Sequence, residues 1–250
     1  MLKVVVGGRQ MMVAAGEERG ERPELVLCLC VAAGTDTRLV TDAFSEALLA
    51  VNYKPTPLRL SQLMGQIPGL EFLAGIKEED TRIRRSMAAG NEIRRVIDHA
   101  DAMARIALSE IHNIRKTLNK DSDESVPAEG HCFIVSSLKR AEELETLRRL
   151  FGQRVLLVSV YEPKVARIDN LCRSIARSRN SPNPDAFATV AEEIIGVGGL
   201  LCGIVSVAAI IWNNPVILIG IAAGAGWALS IVFATRATSA ALRSSCEYVG

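Results

Sequence analysis

The chain has 250 residues, a formal net charge of +1, and a hydrophobic fraction of 49% with only 4% aromatic residues. Its 29 basic residues nearly balance its 28 acidic ones, so we expect no direct binding to nucleic acid. The length fits one ordinary domain with an appendage.

The amino-terminal part of the chain predicts a leader followed by a strand–turn–helix unit. Residues 1–23 begin with an apolar stretch too short for a signal peptide and continue rich in Gly, Glu and Arg, so we predict a disordered leader. Residues 25–33 form an uninterrupted apolar run, typical of a strand buried on both faces. Gly34 ends this run, and residues 38–51 have helical apolar spacing, with Asp36 or Thr37 available as the N-cap.

The remainder of residues 24–178 alternates between short apolar runs and longer amphipathic segments. This alternation predicts an α/β fold with a parallel sheet and helices on both faces. The predicted strands cover residues 53–60, 132–136 and 154–160, and the predicted helices cover 78–97, 98–118, 140–151 and 163–178.

The carboxyl-terminal part differs sharply in composition from the predicted domain. Residues 179–193 begin with RNSPNPD and predict a linker. The runs 194–212 and 216–234 carry no charged residue and each has the length of a bilayer-spanning helix. We therefore predict a transmembrane α-hairpin over residues 194–236, followed by a tail over 237–250.

The basic residues that flank the predicted hairpin indicate its orientation. Arginines precede the first run and follow the second, and the turn between the runs has no charge. This pattern predicts two spans in a bacterial inner membrane, with membrane lipid as a partner and both termini cytoplasmic. Neither run carries an ionisable residue, so a pore would require a homo-oligomer.

The turn after the first strand resembles a phosphate-binding loop in position but not in composition. A glycine turn between a strand and a helix directs backbone N–H groups at a ligand. Here the turn reads Val31-Ala32-Ala33-Gly34-Thr35-Asp36, with one glycine and no lysine. Thr35 offers a hydroxyl for a phosphate or metal, but an ordinary strand–helix turn explains the spacing equally well.

Four passages of residues 24–178 resemble the N-terminal P-loop kinase-like domain of bacterial anti-phage deoxycytidylate (dCTP) deaminases. They are the strand ending in Gly34-Thr35-Asp36, the helix segment MAAGNEIR from Met87 to Arg94, the strand running into Ser136-Ser137-Leu138-Lys139-Arg140, and RVLLVSVY from Arg154 to Tyr161. Cys28 and Val31 stand where that family tends to have glycine. The deaminase signature of HxE followed by PCxxC is absent, so neither zinc nor deamination is expected.

The resemblance implies a nucleotide as ligand, with Mg²⁺ as its cofactor. The candidate nucleotide-binding residues begin with Gly34, Thr35 and Asp36 of the turn. Lys139 and Arg140 are added because they follow the third predicted strand, at the edge where parallel α/β sheets bind ligands, with a helix cap or a solvated position as the alternative. Arg85, Asn91 and Arg94 share one predicted helix and are assigned to a lid or phosphate clamp, with a solvated helix face as the alternative. No catalytic residue is assigned.

Three functions remain open from the sequence. The first is a membrane-anchored, nucleotide-sensing anti-phage defence protein, with the hairpin as anchor or membrane-disrupting effector. The second is a membrane-tethered nucleoside or nucleotide kinase, which the missing P-loop lysine disfavours. The third is a non-catalytic regulatory module, or a truncated relative of an anti-phage dCTP deaminase.

Overall fold

A computed structural model describes residues 3–6, 9–12, 22–119, 126–196, 216–221 and 229–233. The strands are β1 (Lys3–Val6), β2 (Arg9–Met12), β3 (Leu25–Val31), β4 (Lys54–Arg59), β5 (His131–Ser136), β6 (Val155–Tyr161), β7 (Val216–Ile221) and β8 (Leu229–Phe233). The α-helices are α1 (Thr37–Ala50), α2 (Leu60–Leu63), α3 (Glu79–Ile97), α4 (Ala102–Leu118), α5 (Ala141–Phe151), α6 (Lys164–Ser178) and α7 (residues 188–196). Short 3₁₀ turns lie at Met64–Gln66, Glu71–Leu73, Gly152–Arg154 and Pro184–Phe187.

The main sheet confirms the predicted α/β architecture. Its strand order is β4-β5-β3-β6-β7-β8, with parallel pairing from β4 to β7 and an antiparallel β8 at one edge. Strand β4 lies at the other edge, where Pro55 and Pro57 cost no ladder hydrogen bond because one side of the strand is free.

Strand β3 is apolar throughout because both of its faces are covered. Val26, Cys28 and Cys30 pack into the larger core beneath α2 to α5, whereas Leu27 and Leu29 pack on the opposite face with residues of α1. Alternating side chains therefore enter two different cores, as expected for a central parallel strand.

Four cysteines of the described residues lie in the cores of the fold. Cys28, Cys30, Cys132 and Cys172 are buried and free. They act as small apolar side chains in the cores on both sides of the sheet.

Two short strands lie within residues 1–23, which the sequence assigned to a disordered leader. Strands β1 and β2 pair with each other as an antiparallel two-stranded sheet that is separate from the main one. The sequence supplies the reason, since three successive valines, Val4 to Val6, favour a strand, and the Gly7-Gly8 dipeptide between the strands is a hairpin signal.

The predicted helix over residues 216–234 is also wrong where the structure describes it. Strand β7 adds to the sheet beside β6, with Leu157 opposite Val216, and β8 returns beside β7. Short runs rich in Ile and Val suit a strand buried on both faces as well as they suit a membrane helix, and periodicity alone does not separate the two. Residues 222–228 of this run lie outside the described residues.

The predicted linker and the start of the first apolar run are ordered in the structure. A 3₁₀ turn at Pro184–Phe187 leads into α7, whose Ala191, Ile194 and Ile195 are buried against α6. Protein therefore covers the first residues of the predicted span, and residues 197–212 lie outside the described part of the chain. Among the described residues, no helix is both long and apolar enough to cross a membrane.

Candidate functional site

The carboxyl ends of the parallel strands meet at one edge of the sheet, where the turn from β3 to α1 lies between those that follow β5 and β6. Ligands of open α/β sheets bind outside this edge. Within the β3–α1 turn, Thr35 N–H donates to the Ala32 carbonyl at 3.2 Å and Gly34 adopts a φ of +89°.

Glycine is required at position 34 for two separate reasons. Its φ lies in the left-handed region that side chains rarely adopt. In addition, a Cβ there would lie 2.7 Å from the Arg167 carbonyl oxygen and 2.9 Å from the Arg167 Cβ. The turn therefore rests directly on the backbone of α6.

Three side chains hold the carbonyl groups of this turn. Lys139 Nζ donates to the Val31 carbonyl at 3.2 Å, and Arg167 Nη1 donates to the Ala33 carbonyl at 3.0 Å. Asn170 Nδ2 donates to the Gly34 carbonyl at 3.3 Å. In the structure, the Lys139 ammonium, which the sequence assigned to a nucleotide phosphate, donates to a backbone carbonyl of the turn.

The amide groups at the start of α1 are also occupied. Of the two predicted N-cap candidates, Asp36 and Thr37, Asp36 is the N-cap, and its Oδ1 accepts from the N–H groups of Arg38 at 3.1 Å and Leu39 at 3.2 Å. A carboxylate satisfies these orphan donors and carries the negative charge that the helix dipole favours. A phosphate at the same place would meet this carboxylate instead of free N–H groups.

Behind the turn, Glu162 and Thr35 form a buried polar pair. Glu162 is 7% exposed and Thr35 is 9% exposed. Glu162 Oε1 accepts from Asn170 Nδ2 at 3.0 Å. Thr35 Oγ1 and the Asp36 N–H face the Glu162 carboxylate, although neither Thr35 Oγ1 nor Glu162 Oε2 makes a hydrogen bond of normal geometry among the described residues. Burial raises the pKa of Glu162, and the Asn170 amide and the Thr35 hydroxyl that face it partly oppose that rise.

Arg94, which the sequence assigned to a nucleotide, belongs to a buried ion pair. Its Nη2 lies 2.5 Å from Glu143 Oε1, and the exposures of the two side chains are 10% and 0%. The other carboxylate oxygen of Glu143 accepts from the N–H groups of Lys139 at 2.7 Å and Arg140 at 3.1 Å. The pair thus fastens α3 to the loop between β5 and α5, and this loop presents Lys139 to the turn.

The remaining predicted site residues lie apart from the turn. Arg85 is exposed and lines a shallow surface groove of about 610 Å³ together with Phe72, Ile76 and Thr81. Asn91 is exposed on α3. The Arg140 residue is exposed as well.

The structure thus brings Gly34, Thr35, Asp36 and Lys139 together at the sheet edge. Nucleotide binding by any of these residues stays a prediction.

Sequence reasoning missed three residues of this site, namely Glu162, Arg167 and Asn170. Glu162 directly follows β6, just as Lys139 follows β5 after a short loop. The rule that ligand-facing residues follow parallel strands therefore signals Glu162 from the sequence. Arg167 and Asn170 lie mid-helix in α6, and their role depends on how closely that helix approaches Gly34, which the sequence does not reveal.

Fold and site together define an α/β protein with a largely parallel sheet and a polar cluster at its carboxyl edge. Within the described residues, no group of three or more His, Cys, Asp or Glu side chains is placed to hold a metal ion.

Comparison with known proteins adds neighbours of low similarity. No family model matches the chain, and no curated protein matches it. A chain from the PezAT chromosomal toxin-antitoxin system of Streptococcus pneumoniae is similar at a TM-score of 0.49 and 9% identity, over 92% of this chain and 80% of that chain. A gluconokinase from Sinorhizobium meliloti 1021 is similar at a TM-score of 0.34 and 10% identity, over 92% of this chain and 98% of that chain. These scores are too low for either neighbour to bear on what this protein binds or does.

Proposed function

We propose that this protein is a non-catalytic regulatory module built on a P-loop kinase-like α/β fold. One observation carries the proposal: the Asp36 carboxylate already occupies the α1 amide groups that a P-loop offers to a phosphate. In addition, the turn has no lysine, and Lys139 donates to a turn carbonyl. Phosphoryl transfer relies on positioning and charge stabilisation around the phosphates, and this turn supplies neither.

The fold supports the P-loop kinase-like part of the proposal. Strand β3, the first of the main sheet along the chain, lies inside the sheet and runs through a glycine turn into α1. This is the place at which nucleotide-binding α/β proteins hold phosphates. The module therefore keeps the framework of a nucleotide-binding domain, whereas its phosphate loop is closed by its own side chains.

Phosphoryl transfer by the full chain tests this proposal. The purified protein is incubated with γ-labelled ATP, Mg²⁺ and a panel of nucleosides and nucleoside monophosphates. We expect no transfer above a no-protein blank, both for the wild type and for Asp36→Asn, which keeps a capping oxygen but removes the charge. Transfer that requires the protein and disappears with Thr35→Ala would establish the kinase alternative instead.

A nucleotide-sensing role is the second candidate, and the buried pair behind the turn favours it. Thr35 Oγ1 and Glu162 Oε2 face each other without a hydrogen bond of normal geometry among the described residues, and a ligand that donates hydrogen bonds would satisfy both. Thermal stabilisation of the full chain by a panel of nucleotides with Mg²⁺ tests this role, since a ligand at 100 times its Kd adds about 2.7 kcal/mol. A flat response to the whole panel would remove this candidate.

The membrane and defence roles are proposals that rest on the sequence. We propose attachment to a bacterial inner membrane, and a function in anti-phage defence, because of the uncharged run that ends at Trp212 and the resemblance of residues 24–178. Co-flotation of the full chain with lipid vesicles tests attachment, and phage plaque counts with and without the protein test defence. A chain that stays at the bottom of the gradient, or unchanged plaque counts, would contradict the corresponding proposal.

A further inference from the structure

The β3–α1 turn and helix α7 both contact the same helix, α6. Gly34 lies so close to α6 that a Cβ would be 2.7 Å from the Arg167 carbonyl oxygen. One helical turn further along α6, Ile194 and Ile195 of α7 are buried in one cluster with Leu171 and Ile175. Helix α6 therefore contacts both the candidate site and the segment that leads to the apolar run.

The two contacts belong to one continuous apolar cluster. Ala33 of the turn packs against the same cluster as Ile168 and Leu171 of α6 and Ile194 of α7, and Ile83 of α3 joins it. Packed side chains at native density have no free volume to absorb a shift, so a displacement at one end is passed on.

Polar contacts reinforce the same connection. Arg167 and Asn170 project from α6 to the carbonyls of Ala33 and Gly34. Arg84 of α3 pairs with Glu193 of α7 at 2.6 Å. Helix α7 is therefore held by the apolar cluster and by α3, and α6 is held by the turn.

The interface between the turn and α6 also contains buried polar and charged groups that respond to a ligand or a proton. Thr35 Oγ1 and Glu162 Oε2 are buried there and face each other without a hydrogen bond of normal geometry. The Asp36 N–H also faces the Glu162 carboxylate, and the Asp36 side chain adds a second negative charge nearby. The cations that contact the turn, Arg167 and Lys139, donate to backbone carbonyls. A hydrogen-bond donor that enters would satisfy polar atoms of this interface, and a proton gained by Glu162 would remove one of its negative charges.

We infer that α6 is a transmission element that couples the state of the β3–α1 turn to the position of α7. Moving the turn away from α6 loosens α7, and closing it tightens α7. The coupling is a property of the fold and is independent of which ligand the turn takes.

A matched pair of glycine substitutions tests this inference. Gly34→Ala adds both left-handed backbone strain and a clash with α6. Gly69→Ala adds the same strain, since Gly69 also has a φ of +89°, but nothing lies within 4 Å of its added Cβ. The difference between the two variants isolates the contact between the turn and α6.

Hydrogen exchange of the full chain, followed by mass spectrometry, is the readout. We expect amides of residues 188–196 to exchange about tenfold or more faster in Gly34→Ala than in wild type, the size of change that overpacking produces. In Gly69→Ala the same amides should exchange as in wild type. Equal exchange of residues 188–196 in the two variants would overturn the coupling.

A second variant keeps the test decisive if Gly34→Ala does not fold. Asn170→Ala removes the hydrogen bonds to Gly34 and Glu162 without adding volume. We expect it to speed exchange across residues 188–196 by severalfold, in the same peptides. Faster exchange confined to residues 32–40 and to α6 itself would show that the state of the turn does not reach α7, and the inference would fail.

Discussion

Arg94, one of the predicted site residues, forms a buried ion pair with Glu143. Replacing Arg94 by methionine removes the cation of this pair. Methionine keeps much of the side-chain volume, so the main loss is the guanidinium that faces Glu143 at 2.5 Å and 3.2 Å. Glu143 is 0% exposed and would keep only the N–H groups of Lys139 and Arg140. A buried carboxylate left without its cation is strongly unfavourable.

The expected magnitude follows from this burial. Breaking a buried ion pair by removing one partner costs about 3–5 kcal/mol of unfolding free energy. For a chain of this size each kcal/mol lowers Tm by about 2–4 °C, so Arg94→Met should lower Tm by roughly 6–20 °C. The measurement is thermal and urea unfolding of the full chain, followed by circular dichroism.

Arg95→Met is the matched control on the same helix. Arg95 pairs with Glu92 at 2.5 Å, but the exposures of these side chains are 73% and 56%. An exposed pair contributes at most about 1 kcal/mol, so this variant should stay within a few degrees of wild type. Equal Tm values for the two variants would refute the structural role of Arg94. Unchanged stability together with weakened nucleotide binding would restore the predicted phosphate-binding role.

Three further predictions concern the same edge of the sheet and the core beneath it. Because burial raises the pKa of Glu162, folding favours its protonated form, so stability falls as pH rises from its ordinary pKa of 4.5 towards the raised value. Glu162→Gln should therefore raise Tm at pH 7.5 and leave it unchanged at about pH 4 in thermal scans, and a lower Tm at pH 7.5 would contradict this. Asp36→Ala should cost about 0.5–2 kcal/mol in urea unfolding through loss of the α1 N-cap, whereas Asp36→Asn should cost far less, and equal costs would show that the cap is not what Asp36 contributes. Burial raises the pKa of the Cys28 and Cys132 thiols to about 12, so peptide-mapped alkylation at pH 8 should label them only after unfolding, and rapid labelling of the native chain would contradict their burial.

The α/β architecture could be predicted because its signals are local. The apolar run of β3 and the amphipathic spacing of α1 each specify their own element, and the structure confirms them as Leu25–Val31 and Thr37–Ala50. The N-cap Asp36 was also predictable from its position immediately before the helix. These features depend on residues close in sequence, so tertiary contacts did not alter them.

The features that the sequence did not reveal depend on distant partners. Arg94 was assigned to a ligand because arginines near Asn91 resemble a phosphate clamp, but its carboxylate partner Glu143 lies 49 positions away. Residues 216–221 were assigned to a membrane helix, but an apolar run does not say whether lipid or neighbouring strands cover it. The part played by Asn170 likewise appears only once α6 packs on the turn.

Isothermal titration of the full chain with Mg²⁺-ATP tests the central claim, that Asp36 and its neighbours have closed the phosphate loop. The predicted result is no saturable heat at millimolar nucleotide for the wild type, and none for Asp36→Asn, because the asparagine oxygen still caps the same amides. Saturable binding by the wild type that Thr35→Ala abolishes would show that the turn accepts a triphosphate, and the claim would be wrong.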